Sequence, residues 1–135
     1  MGHLLGNGVR FGAPTDVMTA GEGIETMLSV RSVLHDLPMV AALSANHLAA
    51  LLFGVLRRLY VVRDNDRAGE LAVATLTGRA QAAGIEVRTL SPTLGDFNED
   101  LRCLGIDDLR AALRIQLAPE DVPRFMQSVD EGRGR

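Results

Sequence analysis

The sequence predicts an α/β fold, a mainly parallel sheet of about four strands covered by helices, and three observations predict it. Two short apolar runs, Val17-Met18-Thr19-Ala20 and Leu59-Tyr60-Val61-Val62, have the length and near-continuous hydrophobicity of strands buried on both faces. Each passes into a segment whose apolar residues recur at helical spacing. The connections are short, and from Asp16 onward the order is strand, helix, strand, helix, strand, helix, strand.

Residues 1–15 are glycine-rich with little periodicity, and Gly8-Val9-Arg10-Phe11-Gly12 resembles a short strand or the tail of an upstream region. The first strand of the fold is the run that begins at Val17 and leads into Glu22-Gly23. A helix follows Glu22, with Ile24, Met27, Leu28, Val30, Val33, Leu34 and Leu37 as its apolar positions, and Pro38 ends it. The second strand is 39–43. Ser44 suits the N-cap of a helix whose inner face is Leu48, Leu51, Leu52 and Val55.

The run 59–62 reads as a central strand. The helix after it uses Ala68, Leu71, Ala72, Leu76, Ala80 and Ala83, and Gly84 stands where a left-handed C-terminal cap belongs. In 85–90 apolar and polar residues alternate, which places this strand nearer a sheet edge. A turn over 91–95 leads to the acidic stretch Asp96-Phe97-Asn98-Glu99-Asp100-Leu101, and a last amphipathic helix runs through Ile106, Leu109, Leu113 and Leu117. The expected organisation is an N-terminal segment 1–15 continuing from an upstream region, a domain at 16–117, and a mobile C-terminal tail at 118–135.

Composition narrows the function. The chain has 135 residues, 47% of them hydrophobic, which suits one core. Trp is absent and aromatics are 4%, so a stacking platform for bases is disfavoured. The net charge of −3 argues against tight autonomous binding to nucleic acid. Cys103 is the single cysteine, which excludes an internal disulfide and a Cys-rich zinc site. It reads as a packing residue. No signal segment and no apolar stretch near the roughly 20 residues of a membrane span is present, so the expectation is a cytoplasmic protein with no membrane partner.

The strongest chemical signal lies where two strands end: Gly21-Glu22-Gly23, and Arg63-Asp64-Asn65-Asp66-Arg67-Ala68-Gly69. Parallel sheets bind ligands beyond the carboxyl ends of their strands. Glu22, Asp64 and Asp66 gathered there would repel one another unless a cation lay between them, and oxygen-loving Mg²⁺, whose usual chemistry is on phosphates, is the natural occupant. The offset of two between Asp64 and Asp66 lets an extended or turning backbone aim both at one cation. Asp66 is equally suited to capping the next helix. Gly23 and Gly69 allow the backbone to approach a phosphate or to enter a helix sharply. Arg57, Arg58, Arg63 and Arg67 flank the motif as candidate phosphate contacts or as solvated ends of strands and helices. His3, His35 and His47 lack metal-ligand spacing and read as surface residues.

These residues resemble the Toprim domain, the module shared by bacterial-type primases, type IA and type II topoisomerases, OLD-type nucleases and RecR-like repair proteins. The resemblance is carried by Glu22-Gly23 and by Asp64-Asn65-Asp66 with Ala68-Gly69. Met39-Val40-Ala41-Ala42-Leu43-Ser44-Ala45 is similar to the intervening primase strand and turn, and Asp96-Phe97-Asn98-Glu99-Asp100-Leu101 to the acidic segment after the fourth strand. It covers 16–101, and Glu22-Gly23-Ile24-Glu25-Thr26 looks like the branch of plasmid, phage and mobile-element primases.

The resemblance implies a Rossmann-like Toprim fold, with Glu22 as the catalytic carboxylate and Asp64 and Asp66 as holders of Mg²⁺ or Mn²⁺. Asp96 would be a further metal contact, and Gly23, Arg63, Arg67 and Gly69 would be nucleotide- or phosphate-binding. It implies primer synthesis on a DNA template from nucleoside triphosphates, together with upstream primase domains or a replicative helicase. Alternatives are a Toprim nuclease and a non-catalytic module associated with nucleic acid. Gly95 departs from the basic residue that primases often carry before this aspartate. A receiver domain or a haloacid dehalogenase would place its acidic pair after the first strand, and a receiver would need a lysine, of which the chain has none.

Overall fold

The computed structural model of the chain describes residues 3–5, 8–11, 16–21, 23–42, 56–63 and 67–126. Six strands are present among them: β1 (His3–Leu5), β2 (Gly8–Phe11), β3 (Val17–Gly21), β4 (Met39–Ala42), β5 (Arg58–Val62) and β6 (Glu86–Leu90). The helices are α1 (Ile24–Arg31), α2 (Arg67–Ala82), α3 (Phe97–Leu104), α4 (Ile106–Gln116) and α5 (Asp121–Phe125). The sheet runs in the order β1-β2-β4-β3-β5-β6. Strands β4, β3, β5 and β6 are mutually parallel, whereas β2 pairs antiparallel with both β1 and β4. The expected four-stranded parallel sheet is therefore present, and the N-terminal segment extends it by an antiparallel pair.

The pleat explains why β3 and β5 are apolar throughout. Side chains alternate between faces, so Val17, Tyr60 and Val62 enter one cluster and Met18, Ala20, Leu59 and Val61 the other. On the first face the cluster is completed by Met27, Val30 and Leu34 after β3, by Phe97, by Leu109, Leu113 and Leu117, and by Phe125. On the second face Ala80 of α2 and Ile85 pack on the strands.

Gly84 takes φ +81°, the left-handed cap expected at the end of α2. Strand β6 pairs with β5 alone among the described residues, consistent with its alternating pattern. The helix expected over Ser44, Leu48, Leu51, Leu52 and Val55 lies outside the described residues.

Local structure departs from expectation in three places. Helix α1 stops at Arg31 rather than at Pro38, because the chain turns at Ser32 and brings Val33, Leu34 and Leu37 into the core. The acidic stretch after residue 95 is itself a helix, α3. Beyond Leu117, where composition pointed to a mobile tail, the chain turns into α5, and Ala118, Asp121, Phe125 and Met126 are buried. Among the described residues no helix is long and apolar enough to cross a membrane.

Candidate functional site

The carboxyl edge of the parallel strands is built by register. Thr19 stands opposite Tyr60 and Ala20 opposite Val61, so β3 and β5 end side by side at Gly21 and Val62. Arg63 N–H then donates to Leu90 O at 3.1 Å, which carries the β5–β6 ladder one residue further. On the other flank Gly21 faces Ala41 of β4. The strand ends that lead into positions 22 and 64 are thus neighbours, separated by about 4.8 Å as adjacent strands are.

Glu22, Asp64 and Asp66 themselves lie outside the described residues, as does His47. The residues bracketing the acidic positions are described. Gly21 is the last residue of β3, and a Cβ there would stand 2.6 Å from Met27 Sδ and 3.3 Å from Val62 Cβ, so the chain leaves the strand where only a hydrogen fits. Gly23 instead has an ordinary extended backbone, φ −94° and ψ 129°, with room for a side chain, and its carbonyl accepts Met27 N–H at 3.0 Å as α1 begins. The signal that singles out Gly21 is its place at the end of a strand facing a buried methionine, which is not visible in one dimension.

Arg63 is half-buried at the end of β5, and Arg67 and Gly69 fall in the first turn of α2. Asp96 is the N-cap of α3, where its Oδ1 accepts Glu99 N–H at 2.7 Å. That cap engages one oxygen of the carboxylate. Among the described residues no group of three or more His, Cys, Asp or Glu is placed to hold a metal ion.

The loop carrying Asp96 is tied down by side chains that the sequence reading did not single out. Asp100, buried in α3, accepts Thr93 N–H and Leu94 N–H, each at 2.7 Å. Glu99 Oε1 accepts Gly95 N–H at 2.9 Å. Gln116 accepts Ser91 N–H at 2.7 Å and donates back to Ser91 O at 3.0 Å. Helix α3 is in turn fastened to α1, with Ser29 Oγ donating to Asn98 Oδ1 at 3.3 Å.

Arg57 and Arg58, read as flanking the acidic motif, belong to the opposite, amino edge of the sheet. Arg58 is buried and bonds Asp121 at 2.9 Å, Glu120 at 2.7 Å and Glu86 at 3.1 Å. Burial works against its charge, yet the hydrogen bonds it donates to Glu86 and Glu120 and the pairing with Asp121 hold it above the ordinary arginine range. Tyr60 Oη donates to Asp121 and accepts Ala118 N–H at 2.9 Å. Burial, and then the Asp121 carboxylate, push its phenol up. Arg57 and Arg124 both pair with Asp16. The hydrogen bond from Arg124 is the main cause that holds Asp16 down at about 2. This edge is a structural clamp with its charges already matched. Cys103, expected to be a packing residue, is exposed on α3.

A family model described as the Toprim domain matches residues 17–107. No curated protein matches the sequence. Among solved structures, the chain resembles the primase of Aquifex aeolicus, in a structure holding its zinc-binding and RNA polymerase domains. The TM-score is 0.59 at 23% identity over 76% of this chain and 26% of that one. A DNA primase domain from Pseudomonas aeruginosa matches at TM-score 0.53 and 26% identity, over 75% of this chain and 33% of the other. The primase fragment of the bacteriophage T7 primase-helicase protein matches at TM-score 0.60 and 21% identity, over 80% and 46% of the two chains. The chain therefore spans less than half the length of each of these structures.

Proposed function

The chain belongs to the Toprim domain family, and on that premise we propose that it is a primase-type module for Mg²⁺-dependent nucleotidyl transfer, the step of primer synthesis on a DNA template. The observation that carries this reading is the pairing of β3 with β5, whose neighbouring ends lead into Glu22 and into Asp64-Asn65-Asp66. The likeness of the fold to primase domains supports it, with identity reaching 26% for the Pseudomonas aeruginosa domain.

Domains of this family generally depend on a divalent cation, and the donor set suits one. Carboxylates are hard oxygen donors, and three of them follow from two adjacent strand ends. Asp64 and Asp66 would hold Mg²⁺ or Mn²⁺, with Asp96 as a further contact. A bound divalent ion neutralises phosphate charge and eases loss of the pyrophosphate leaving group. Glu22, which follows β3 in the chain, would serve as acid/base toward the attacking hydroxyl or as a metal-organising carboxylate. Arg63 and Arg67 present guanidinium groups to phosphate oxygens. Gly23 and Gly69 keep the backbone clear of the nucleotide at the starts of α1 and α2.

The substrates on this reading are nucleoside triphosphates and a DNA template. Since the chain carries a net charge of −3, template grip comes from partner segments, either upstream primase domains or a replicative helicase. The T7 relative is part of a primase-helicase protein, which supports the second of these.

The decisive experiment is calorimetric titration of Mn²⁺ and Mg²⁺ into the wild type and into an Asp64→Asn/Asp66→Asn variant, followed by primer-synthesis assays on single-stranded DNA. Binding that vanishes in the variant, with primers made by the wild type once upstream primase domains or a replicative helicase are supplied, is expected. A wild type that binds ions and degrades plasmid DNA without making primers is a nuclease. One that binds neither ion, even with nucleotide present, leaves a non-catalytic module.

A further inference from the structure

The loop from Ser91 to Asp96 follows the carboxyl end of β6, and its backbone is held almost entirely by side chains of the two helices that come after it. The N–H groups of Ser91, Thr93, Leu94 and Gly95 are accepted by Gln116, Asp100, Asp100 and Glu99 respectively. Pro92 has no N–H to place. Asp100 holds two of these four groups, one on each oxygen, and only 1% of it is exposed.

A buried carboxylate is an expensive way to fasten a loop, because its charge must leave water. Among the described residues no arginine pairs with Asp100, so its charge is met by the two amide dipoles at 2.7 Å and by its position near the start of α3. Stability alone would be served as well by an apolar contact and a shorter loop. What the carboxylate adds is shape: both N–H groups must converge on it, and that fixes the turn one residue before Gly95 and two before Asp96. Asp96 is held at the other end by Glu99 N–H on its Oδ1. Its Oδ2 has no partner among the described residues.

We propose that Asp100 is a positioning residue, which shapes the 91–96 loop so that the second oxygen of Asp96 is presented to the divalent cation. This rests on the metal-dependent reading of the acidic edge. Gln116 supports it from α4 by anchoring the root of the loop at Ser91. Residues of this kind around a metal site typically change affinity by about 10- to 100-fold when altered.

The test is a double-mutant cycle read by Mn²⁺ titration, with amide hydrogen exchange at Thr93 and Leu94 reporting on the loop. Asp100→Asn is expected to speed exchange at both amides and to weaken Mn²⁺ about tenfold. In an Asp96→Asn background the same change is expected to weaken it no further, because the ligand it positions is gone. Equal weakening in both backgrounds overturns the proposal, as does unchanged affinity in Asp100→Asn once the two amides exchange freely. If Asp100→Asn does not fold, Gln116→Met carries the test. It is expected to loosen Ser91 and weaken Mn²⁺ in the same direction, and unchanged affinity with a loosened Ser91 overturns the proposal. A wild type that binds no Mn²⁺ brings down the metal reading itself. A wild type that binds, with both variants binding equally well, removes only the positioning role.

Discussion

Arg58 and Asp121 lie 63 residues apart in sequence and meet in the interior, the guanidinium Nη1 2.9 Å from the carboxylate Oδ2. The first belongs to β5 and the second to α5, so this contact fixes the C-terminal helix to the amino edge of the sheet. Removing Asp121 leaves the buried guanidinium with only the more exposed Glu86 and Glu120, and takes the acceptor away from Tyr60 Oη. Asp121→Ala is expected to destabilise the fold by about 3 kcal/mol. Replacing both, as Arg58→Met/Asp121→Leu, is expected to recover most of that loss, since no charge is then left buried. Urea unfolding of the three proteins checks this, and a double variant no more stable than Asp121→Ala contradicts it.

The same edge sets the pH limits of stability. Asp16 is lowered from 3.8 to about 2, chiefly by its hydrogen bond from Arg124, and Arg58 lowers Glu86 and Glu120. A carboxylate with a depressed value in the fold contributes stability that is complete above its unfolded value and is lost as the pH falls through the folded one. Stability should therefore decline from about pH 4 toward pH 2. Asp16 is substantially exposed, so Asp16→Asn should change that limb by less than about 1 kcal/mol. The sign reverses for Tyr60, whose raised phenol keeps its proton longer in the fold than in the unfolded chain. Its contribution is present below about pH 10 and lost above it, and Tyr60→Phe should flatten the alkaline limb. Denaturation followed from pH 2 to 11 tests both limbs.

The family match ends at residue 107, but the core does not. Leu109, Leu113, Leu117, Phe125 and Met126 are all buried in the cluster on the α1 face of the sheet. Each such side chain contributes about 1.5–3 kcal/mol by leaving water. Together they are comparable to the roughly 5–15 kcal/mol by which a domain is stable. A chain cut after residue 107 is expected to lose cooperative unfolding, and a sharp thermal transition in that truncation would show that α4 and α5 are dispensable.

Within that C-terminal addition α4 was legible from its spacing, whereas α5 was not. The parallel strands were legible because burial on both faces demands unbroken apolar runs, as in 59–62, and because Gly84 is the residue a left-handed cap requires. Helix α5 has five residues, a proline within it and two buried positions, so no period shows. Arg58 and Asp121 each look like surface charges until the fold brings them together. Strand β1 left no signal, and β2 was legible only as one of two readings of Gly8-Val9-Arg10-Phe11-Gly12, because the two strands are three and four residues long among glycines. At the candidate site, strand-end position could be inferred from the order of elements. The roles of Asp100 and Gln116 could not, since a side chain that accepts loop amides leaves no spacing signature.

Gly21 is a test of how closely the β3–α1 junction is packed. A methyl at this position would come 2.6 Å from Met27 Sδ, inside contact distance, with Val62 Cβ 3.3 Å away. The sulfur end of methionine can move, but Met27 is fully buried and has little space to move into. Gly21→Ala is expected to destabilise by about 1–3 kcal/mol, the range for overpacking. Adding Met27→Ala should relieve the clash, so the second change should cost less in the Gly21→Ala background than alone. Additive losses in chemical unfolding would mean that the junction adjusts freely.

Glu22 follows Gly21 directly, and its substitution separates holding a cation from moving a proton. If Asp64 and Asp66 hold the ion and Glu22 acts on the attacking hydroxyl, Glu22→Gln keeps shape and size while removing the basic oxygen. Mn²⁺ affinity should then stay close to that of the wild type. Primer synthesis should fall by about 10²- to 10⁴-fold, the usual contribution of a positioned acid or base. The loss should appear in kcat, with KM for the nucleoside triphosphate little changed, because the group acts in the transition state rather than in binding. Loss of Mn²⁺ binding in Glu22→Gln would instead make Glu22 a ligand, and full activity would remove it from the reaction altogether.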